Sequence, residues 1–230
     1  MVDEAARGDR HDVMGDDPVG AEEDPAGGPG TARTGVAYRP ALVVVSGPPG
    51  SGKTTLARTL AQALPCPLVS RDDINEGIFE TFGHDLAVAG KEPVARLAFE
   101  TFFQTVDLLL SSKVTVVAEA AFQDRRWRLG LNSLKAEADT RIVHCVVDPG
   151  TARRRVTERH REQPDGPSAR RAASARRDGT GGRAAGGFEA VSLAVPSLRV
   201  ATVNGYDPAI EVIIDFIRAQ RGFGIDQRGT

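Results

Sequence analysis

The pattern of apolar and polar positions changes abruptly near residue 41. Before it there is almost no large apolar side chain, and then Ala41-Leu42-Val43-Val44-Val45 forms an unbroken apolar run. Such a run marks a strand covered on both faces of a parallel sheet. A Gly-rich turn follows. Leu56, Leu60 and Ala63 then fall at helical spacing across Lys53–Ala63, with Pro65 as the stop. Further strands are predicted at Leu68–Ser70, Val114–Ala118, Ile142–Val147 and Ser197–Val203. The helical pattern occupies Glu92–Leu110, Arg125–Ala138, Thr151–Arg161 and Pro208–Gln220. Strands that alternate with helices predict an α/β domain, a parallel sheet with helices on both faces.

Two stretches stand outside this rhythm. Residues 1–38 hold nine acidic and three basic residues, and they lack the apolar surface needed to offset chain entropy. They are expected to be a disordered acidic tail ahead of a domain at 39–222. Gln163–Gly187 is rich in Arg, Ala, Gly and Ser with no apolar face, which predicts a mobile lid or a disordered insertion. Residues 223–230 read as a C-terminal tail.

Composition narrows the function classes. The formal net charge of −2 argues against a generic nucleic-acid or membrane-surface binder. No apolar run reaches the ~18 residues that a membrane helix needs, and no signal-peptide core is apparent, so a cytoplasmic protein is expected. Cys66 and Cys145 lie in apolar stretches and read as free buried thiols, and no Cys/His spacing suits zinc. Only four of the 29 basic residues are lysine (Lys53, Lys91, Lys113 and Lys135), so a lysine in a special place carries weight.

Lys53 is in such a place. Gly47-Pro48-Pro49-Gly50-Ser51-Gly52-Lys53-Thr54 fits G-x-x-x-x-G-K-[ST] residue for residue, after a buried strand and at the opening of a helix. Glycines let the backbone wrap a phosphate with its N–H groups turned inward, and the helix start adds free donors and a positive dipole. Lys53 would bridge the β- and γ-phosphates of ATP, and the Thr54 hydroxyl would ligate Mg²⁺. At the end of the second strand, Asp72 and Asp73 offer a carboxylate that can take the proton of an attacking hydroxyl. The plainer role for one of them is to cap the next helix. Glu119, read as ending the third strand, would approach Mg²⁺ or the acceptor, or else be structural.

Residues 151–183 carry ten arginines against four acids. An arginine there can neutralise charge that spreads over the transferring phosphoryl group. Arg155 and Arg159, four apart on one helix face, are the candidates. His144, on an apolar strand, reads as a satisfied core histidine, and Trp127 as a packing residue.

These residues together resemble the small P-loop kinases grouped as AAA family ATPases, whose relatives include polynucleotide, gluconate and shikimate kinases, chloramphenicol phosphotransferase and zeta-toxin kinases. The resemblance runs from about Ala41 to Ala219. It rests on Ser46-Gly47 through Thr55, Ser70-Arg71-Asp72-Asp73-Ile74, Val117-Ala118-Glu119-Ala120-Ala121-Phe122, and Asp148-Pro149 leading into the arginine helix. It implies a P-loop NTPase three-layer sandwich with a five-stranded parallel sheet of order 2-3-1-4-5. It also implies a lid around Arg153–Gly187, adenine contacts around Asn204-Gly205-Tyr206-Asp207, and Asp72 as general base. Two departures stand out. Polynucleotide kinases tend to carry a basic residue where this chain has Asn75, and the lid lacks the compact Arg-His-Pro-Gly-His-type stretch of close relatives.

The leading expectation is therefore an ATP- and Mg²⁺-dependent kinase acting on a hydroxyl of a small molecule. A polynucleotide 5′-hydroxyl kinase and a non-catalytic nucleotide-gated module are the competing readings. A true AAA+ motor is disfavoured by the chain length and by the lack of an Asp-Glu pair on the third strand. Phe79, Phe82 and His84 fall where an acceptor would sit, but they do not name it.

Overall fold

The apolar run that opens the domain becomes β1 (Ala41–Ser46), and every residue in it is buried. After it come α1 (Lys53–Ala63), β2 (Leu68–Ser70), α2 (Arg71–Ala89), α3 (Lys91–Ser111), β3 (Val116–Ala120) and α4 (Asp124–Leu134). The chain continues through β4 (Asp139–Val146), α5 (Pro149–Glu162), β5 (Ser197–Ala201) and α6 (Ile210–Arg218). This computed structural model describes residues 39–89, 91–162, 164 and 188–219. The acidic tail expected at 1–38, the lid expected at 163–187 (the turn residue Pro164 apart) and the tail expected at 223–230 lie outside the described residues, as does the side chain of His84.

The sheet has the order β2-β3-β1-β4-β5, and each neighbouring pair runs parallel. That is the order the resemblance implied. β1 is central, so both its faces are covered, which is why its sequence does not alternate. On one face Leu42 and Val44 pack with Phe102, Val106 and Leu110 of α3 and Trp127 and Leu131 of α4. On the other, Val43 and Val45 pack with Leu56 and Leu60 of α1 and Ile213 and Ile217 of α6. The result is three layers, with each fully buried Leu or Phe contributing about 1.5–3 kcal/mol. Trp127 stacks among Phe99, Phe102, Phe103 and Phe122, with centroids 4.7–5.6 Å from its own, so it packs as expected.

Three element boundaries moved for identifiable reasons. β3 starts two residues later than its apolar run suggests. The α3 exit turn captures Lys113 and Val114, whose N–H groups donate to Leu110 and Leu109 at 2.9 and 2.8 Å. β4 starts three residues earlier than expected, at polar Asp139-Thr140-Arg141, because Ala41 to Val43 of β1 pair with those residues. α4 stops at Leu134 rather than Ala138, leaving the turn that feeds β4. α2 is the helix expected to be capped after β2, and its start at Arg71 agrees with that expectation.

The chain that precedes β5 crosses the start of α4. The Asp124 carboxylate accepts the Ser192 N–H at 2.8 Å, and Val191 is buried in the α3/α4 face of the core. No described helix is long and apolar enough to cross a membrane.

Candidate active site

In a parallel α/β sheet the crevice lies beyond the carboxyl ends of the strands. The turn after β1 is built for an anion there. Gly50 and Gly52 have φ of 80° and 78°, a region that a side chain disfavours. A Cβ on Gly50 would also run into the Ala152 carbonyl. The Ser51 N–H closes the loop on the Pro48 carbonyl at 3.1 Å. α1 then begins with Gly52 at its N-cap and no side-chain cap. The first-turn N–H groups are thus left for a ligand, as a phosphate cradle requires.

Lys53 opens α1 and is buried, with its Nζ 3.7 Å from Oε1 of Glu119. Glu119 is 1% exposed and sits within β3, one residue before its end, because Ala120 still pairs with Ser46 of β1. It lies behind Lys53 rather than on the cleft wall. Its Oε1 has no hydrogen-bond partner among the described residues, while Oε2 accepts the Ser70 hydroxyl at 3.0 Å. Burial raises the Glu119 carboxyl above the ordinary carboxylate range. Asp72 and Asp73 add to the shift, and Lys53 and the Ser70 hydrogen bond oppose it.

Ser70 ends β2, and its Oγ also accepts the Asp73 N–H at 3.3 Å. Ser70 is therefore the N-cap of α2, a role the sequence had left to one of the aspartates. Ser70-x-x-Asp73 is a capping-box spacing, which is the signal that was missed. Both aspartates fall in the first turn of α2. Asp72 lines the cleft, part-exposed, 3.6 Å from Arg71.

The far wall comes from α5 and the end of β5. Asp148 caps α5 by accepting the Thr151 N–H at 2.8 Å, with Pro149 in the first helical position. That hydrogen bond holds the Asp148 carboxyl below its ordinary range. Arg155 was expected to face phosphate. In the structure its guanidinium donates to backbone carbonyls, at 2.7 Å to Thr202, 3.1 Å to Val203 and 3.4 Å to Gly50. The Thr202 hydroxyl donates to the Ser51 carbonyl at 2.6 Å. The outer side of the loop is thus bolted to α5 and β5. Arg159 lines the cleft and is exposed, with Glu158 and Glu162 on the same wall. Arg170, Arg171, Arg176, Arg177 and Arg183 lie outside the described residues.

These elements enclose a cleft of about 830 Å³, within the usual range for a ligand site. Gly50, Gly52, Lys53, Thr54, Thr55, Asp72, Arg155, Arg159 and Gly205 all line it, as do Tyr206 and the unforeseen Arg58, Ser70 and Glu76. Gly47, Pro48, Pro49 and Ser51 shape the loop without lining the cleft, and exposed Asn204 stays off its wall. Phe79 and Phe82 are exposed on α2. His144 is only half-buried and its Nδ1 has no partner among the described residues, so it is not the satisfied core histidine expected. Burial and the charge of Arg199 lower its pKa. Cys66 is half-buried, and burial drives the Cys145 thiol up to about 12.

The residues fit a nucleotide triphosphate: the uncapped helix start and the left-handed glycines supply donors, and Lys53 supplies charge. Among the described residues no group of three His, Cys, Asp or Glu side chains could hold a metal alone. A Mg²⁺ would depend on Thr54 and on phosphate oxygens, as such sites do.

Comparison with known proteins agrees with this geometry. Residues 42–177 match a family described as an AAA domain (AAA_33). The chain is similar to a cytidylate kinase from Pyrobaculum calidifontis, 30% identical over 127 residues, covering 52% of this chain and 69% of that protein. Its fold is similar to that of a candidate kinase from Chloroflexus aurantiacus (TM-score 0.61, 23% identity, 80% of this chain and 96% of that one). It is also similar in fold to an APS kinase from Mycobacterium tuberculosis solved with AMPPNP and APS (TM-score 0.53, 19% identity, 78% of this chain and 98% of that one).

Proposed function

We propose that this chain, which belongs to the AAA domain family of P-loop kinases and is an ATP-dependent kinase, transfers the γ-phosphoryl group of ATP to a hydroxyl of a small molecule. The observation that carries this reading is one cleft lined both by the phosphate cradle around Lys53 and by Asp72. The loop N–H groups and Lys53 would hold the phosphates. Asp72 would take the acceptor hydroxyl proton as the new O–P bond forms and the bond to the β–γ bridging oxygen breaks, releasing ADP. Thr54 would hold Mg²⁺, with Glu119 behind Lys53, and the ion would neutralise charge on the phosphate oxygens. Arg159 is the better candidate for touching the transferring group, since Arg155 is engaged with carbonyls.

The electrostatics of the acceptor side support a hydroxyl acceptor. Asp72, Asp73 and Glu76 line the cleft there, and an anionic acceptor would be pressed against these carboxylates. A hydroxyl needs a base, whereas a phosphate monoester is already a nucleophile. The Pyrobaculum relative, a cytidylate kinase by name, favours a second reading in which the acceptor is a nucleoside monophosphate.

The test is ADP formation from ATP and Mg²⁺ across a panel of neutral sugars, nucleosides and amino alcohols, with CMP and a 5′-hydroxyl oligonucleotide added. A neutral hydroxyl compound should raise turnover, and Asp72→Asn should lower that rate by about 10²–10⁴-fold. Acceleration by CMP that survives Asp72→Asn would transfer the assignment to the second reading. Acceleration by the oligonucleotide alone would favour a polynucleotide acceptor. Nucleotide binding with no acceptor response would refute hydroxyl transfer.

A further inference from the structure

The nucleotide side and the acceptor side of the cleft belong to different elements, α1 and α2, yet one buried side chain touches the supports of both. Ser70 is 4% exposed. As a donor, its hydroxyl holds Oε2 of Glu119 at 3.0 Å. As an acceptor, the same oxygen holds the Asp73 N–H at 3.3 Å and so fixes the first turn of α2, where Asp72 sits. On the other end of the Glu119 carboxylate, Oε1 faces Lys53 Nζ at 3.7 Å and has no hydrogen bond among the described residues. The strands explain the alignment. Ser70 and Glu119 are register partners across β2 and β3, and Val45, one residue before the end of β1, is Glu119's partner on its other side. A hydroxyl that donates and accepts at once links its two partners, because turning it toward one alters its fit to the other.

We propose that Ser70 is a positioning residue that ties occupancy of the phosphate loop to the placement of Asp72, by way of Lys53 and Glu119. This rests on the nucleotide-binding reading above. When phosphate draws Lys53 forward, the Glu119 carboxylate loses part of its counter-charge and leans on its remaining partner, the Ser70 hydroxyl. The hydroxyl in turn fixes the cap of α2. The base is then held firmly only when there is a nucleotide to attack. A plain N-cap would stabilise α2 equally with or without nucleotide, so the proposal concerns the difference between the two states.

Hydrogen exchange on the full chain reads that difference without a known acceptor. Peptides covering the phosphate loop (47–60) and the start of α2 (69–80) are followed with and without Mg²⁺ and the non-hydrolysable analogue AMPPNP. In the unsubstituted protein both peptides should slow on nucleotide addition, the second by about threefold to tenfold. In Ser70→Ala the loop peptide should still slow while the α2 peptide does not, and Ser70→Thr should restore the response. Should Ser70→Ala fail to fold, Glu119→Gln carries the test. It keeps an acceptor for the hydroxyl but removes the charge facing Lys53, and it should lose the α2 response. An α2 response that persists in Ser70→Ala or in Glu119→Gln overturns the proposal. So does one absent from the unsubstituted protein, or one that Ser70→Thr does not restore. If the loop peptide itself never slows, the nucleotide-binding reading falls and takes the proposal with it, and the two failures are told apart by that peptide alone.

Discussion

Arg155 and Arg159 look interchangeable in the sequence, one turn apart on the same helix, and the structure gives them different jobs that can be separated by experiment. Arg155 makes two good charge-assisted hydrogen bonds, at 2.7 Å to Thr202 and 3.1 Å to Val203, and a longer one at 3.4 Å to Gly50. Bonds of this kind are worth about 1.5–3 kcal/mol each when buried. Here the site is half-open, so water replaces part of each bond, and about 2 kcal/mol in all is a reasonable value for Arg155→Ala. For a domain of this size that is a fall of about 4–8 °C in the melting temperature. The loss is expected without nucleotide, by differential scanning calorimetry, because every carbonyl partner belongs to the protein. ATP-analogue affinity should also fall several-fold by titration calorimetry, since Gly50 loses a tether. Arg155→Lys should recover only part of the loss, because one ammonium cannot span the Gly50 and Thr202 carbonyls together. Arg159→Ala, at an exposed cleft position, should stay within about 0.5 kcal/mol of the unsubstituted protein while reducing turnover. If Arg155→Ala melts with the unsubstituted protein and only turnover falls, the clamp assignment is wrong and Arg155 belongs to the phosphate side.

Gly50→Ala should destabilise the chain by at least about 1–2 kcal/mol and weaken nucleotide binding, because it forces a left-handed side chain against the Ala152 carbonyl; urea unfolding and calorimetric titration check both. The Asp148 carboxyl is held below its ordinary pKa by the Thr151 N–H, so its contribution is complete above the unfolded-state pKa and is lost as pH falls through the lower folded value. Asp148→Ala should therefore be less stable at neutral pH and should show a shallower loss of stability on acidification, measured by melting temperature against pH. Cys145, with its thiol pushed up to about 12, should resist a thiol reagent at pH 8 in the native protein and react only in denaturant, while half-buried Cys66 reacts first.

What could be read ahead of the structure was whatever depends on neighbours in sequence. The apolar run of β1, the glycine loop and α1 are contiguous, and each was placed within a residue. That Asp72 and Thr54 line the cleft could be expected from their positions, after a strand end and at a helix start. The buried seat of Glu119 beside Lys53 could not be read locally, because it depends on the pairing of β3 with β1 and β2. The role of Arg155 was hidden for a related reason. Three carbonyls from residues 50, 202 and 203 converge on it only once β1 and β5 are in place. Ser70 was in plain sight as part of a capping spacing, but its bond to Glu119 depends on the pairing of β2 with β3.

The position of β1 has a consequence for how the chain is made. Its partners lie far downstream: Leu42 pairs with Val116, and Ala41 with Asp139. During synthesis at about 5–20 residues per second, the roughly 75 residues between Leu42 and Val116 take about 4–15 s to appear, and for that time an almost wholly aliphatic strand has neither edge paired; its second edge waits until Asp139 follows. A chain released early, between β3 and β4, would close one edge and leave the other open as a template for self-association. The strand that carries the phosphate loop is thus the stretch of this protein most dependent on the ribosome finishing its work, or on a chaperone holding the wait.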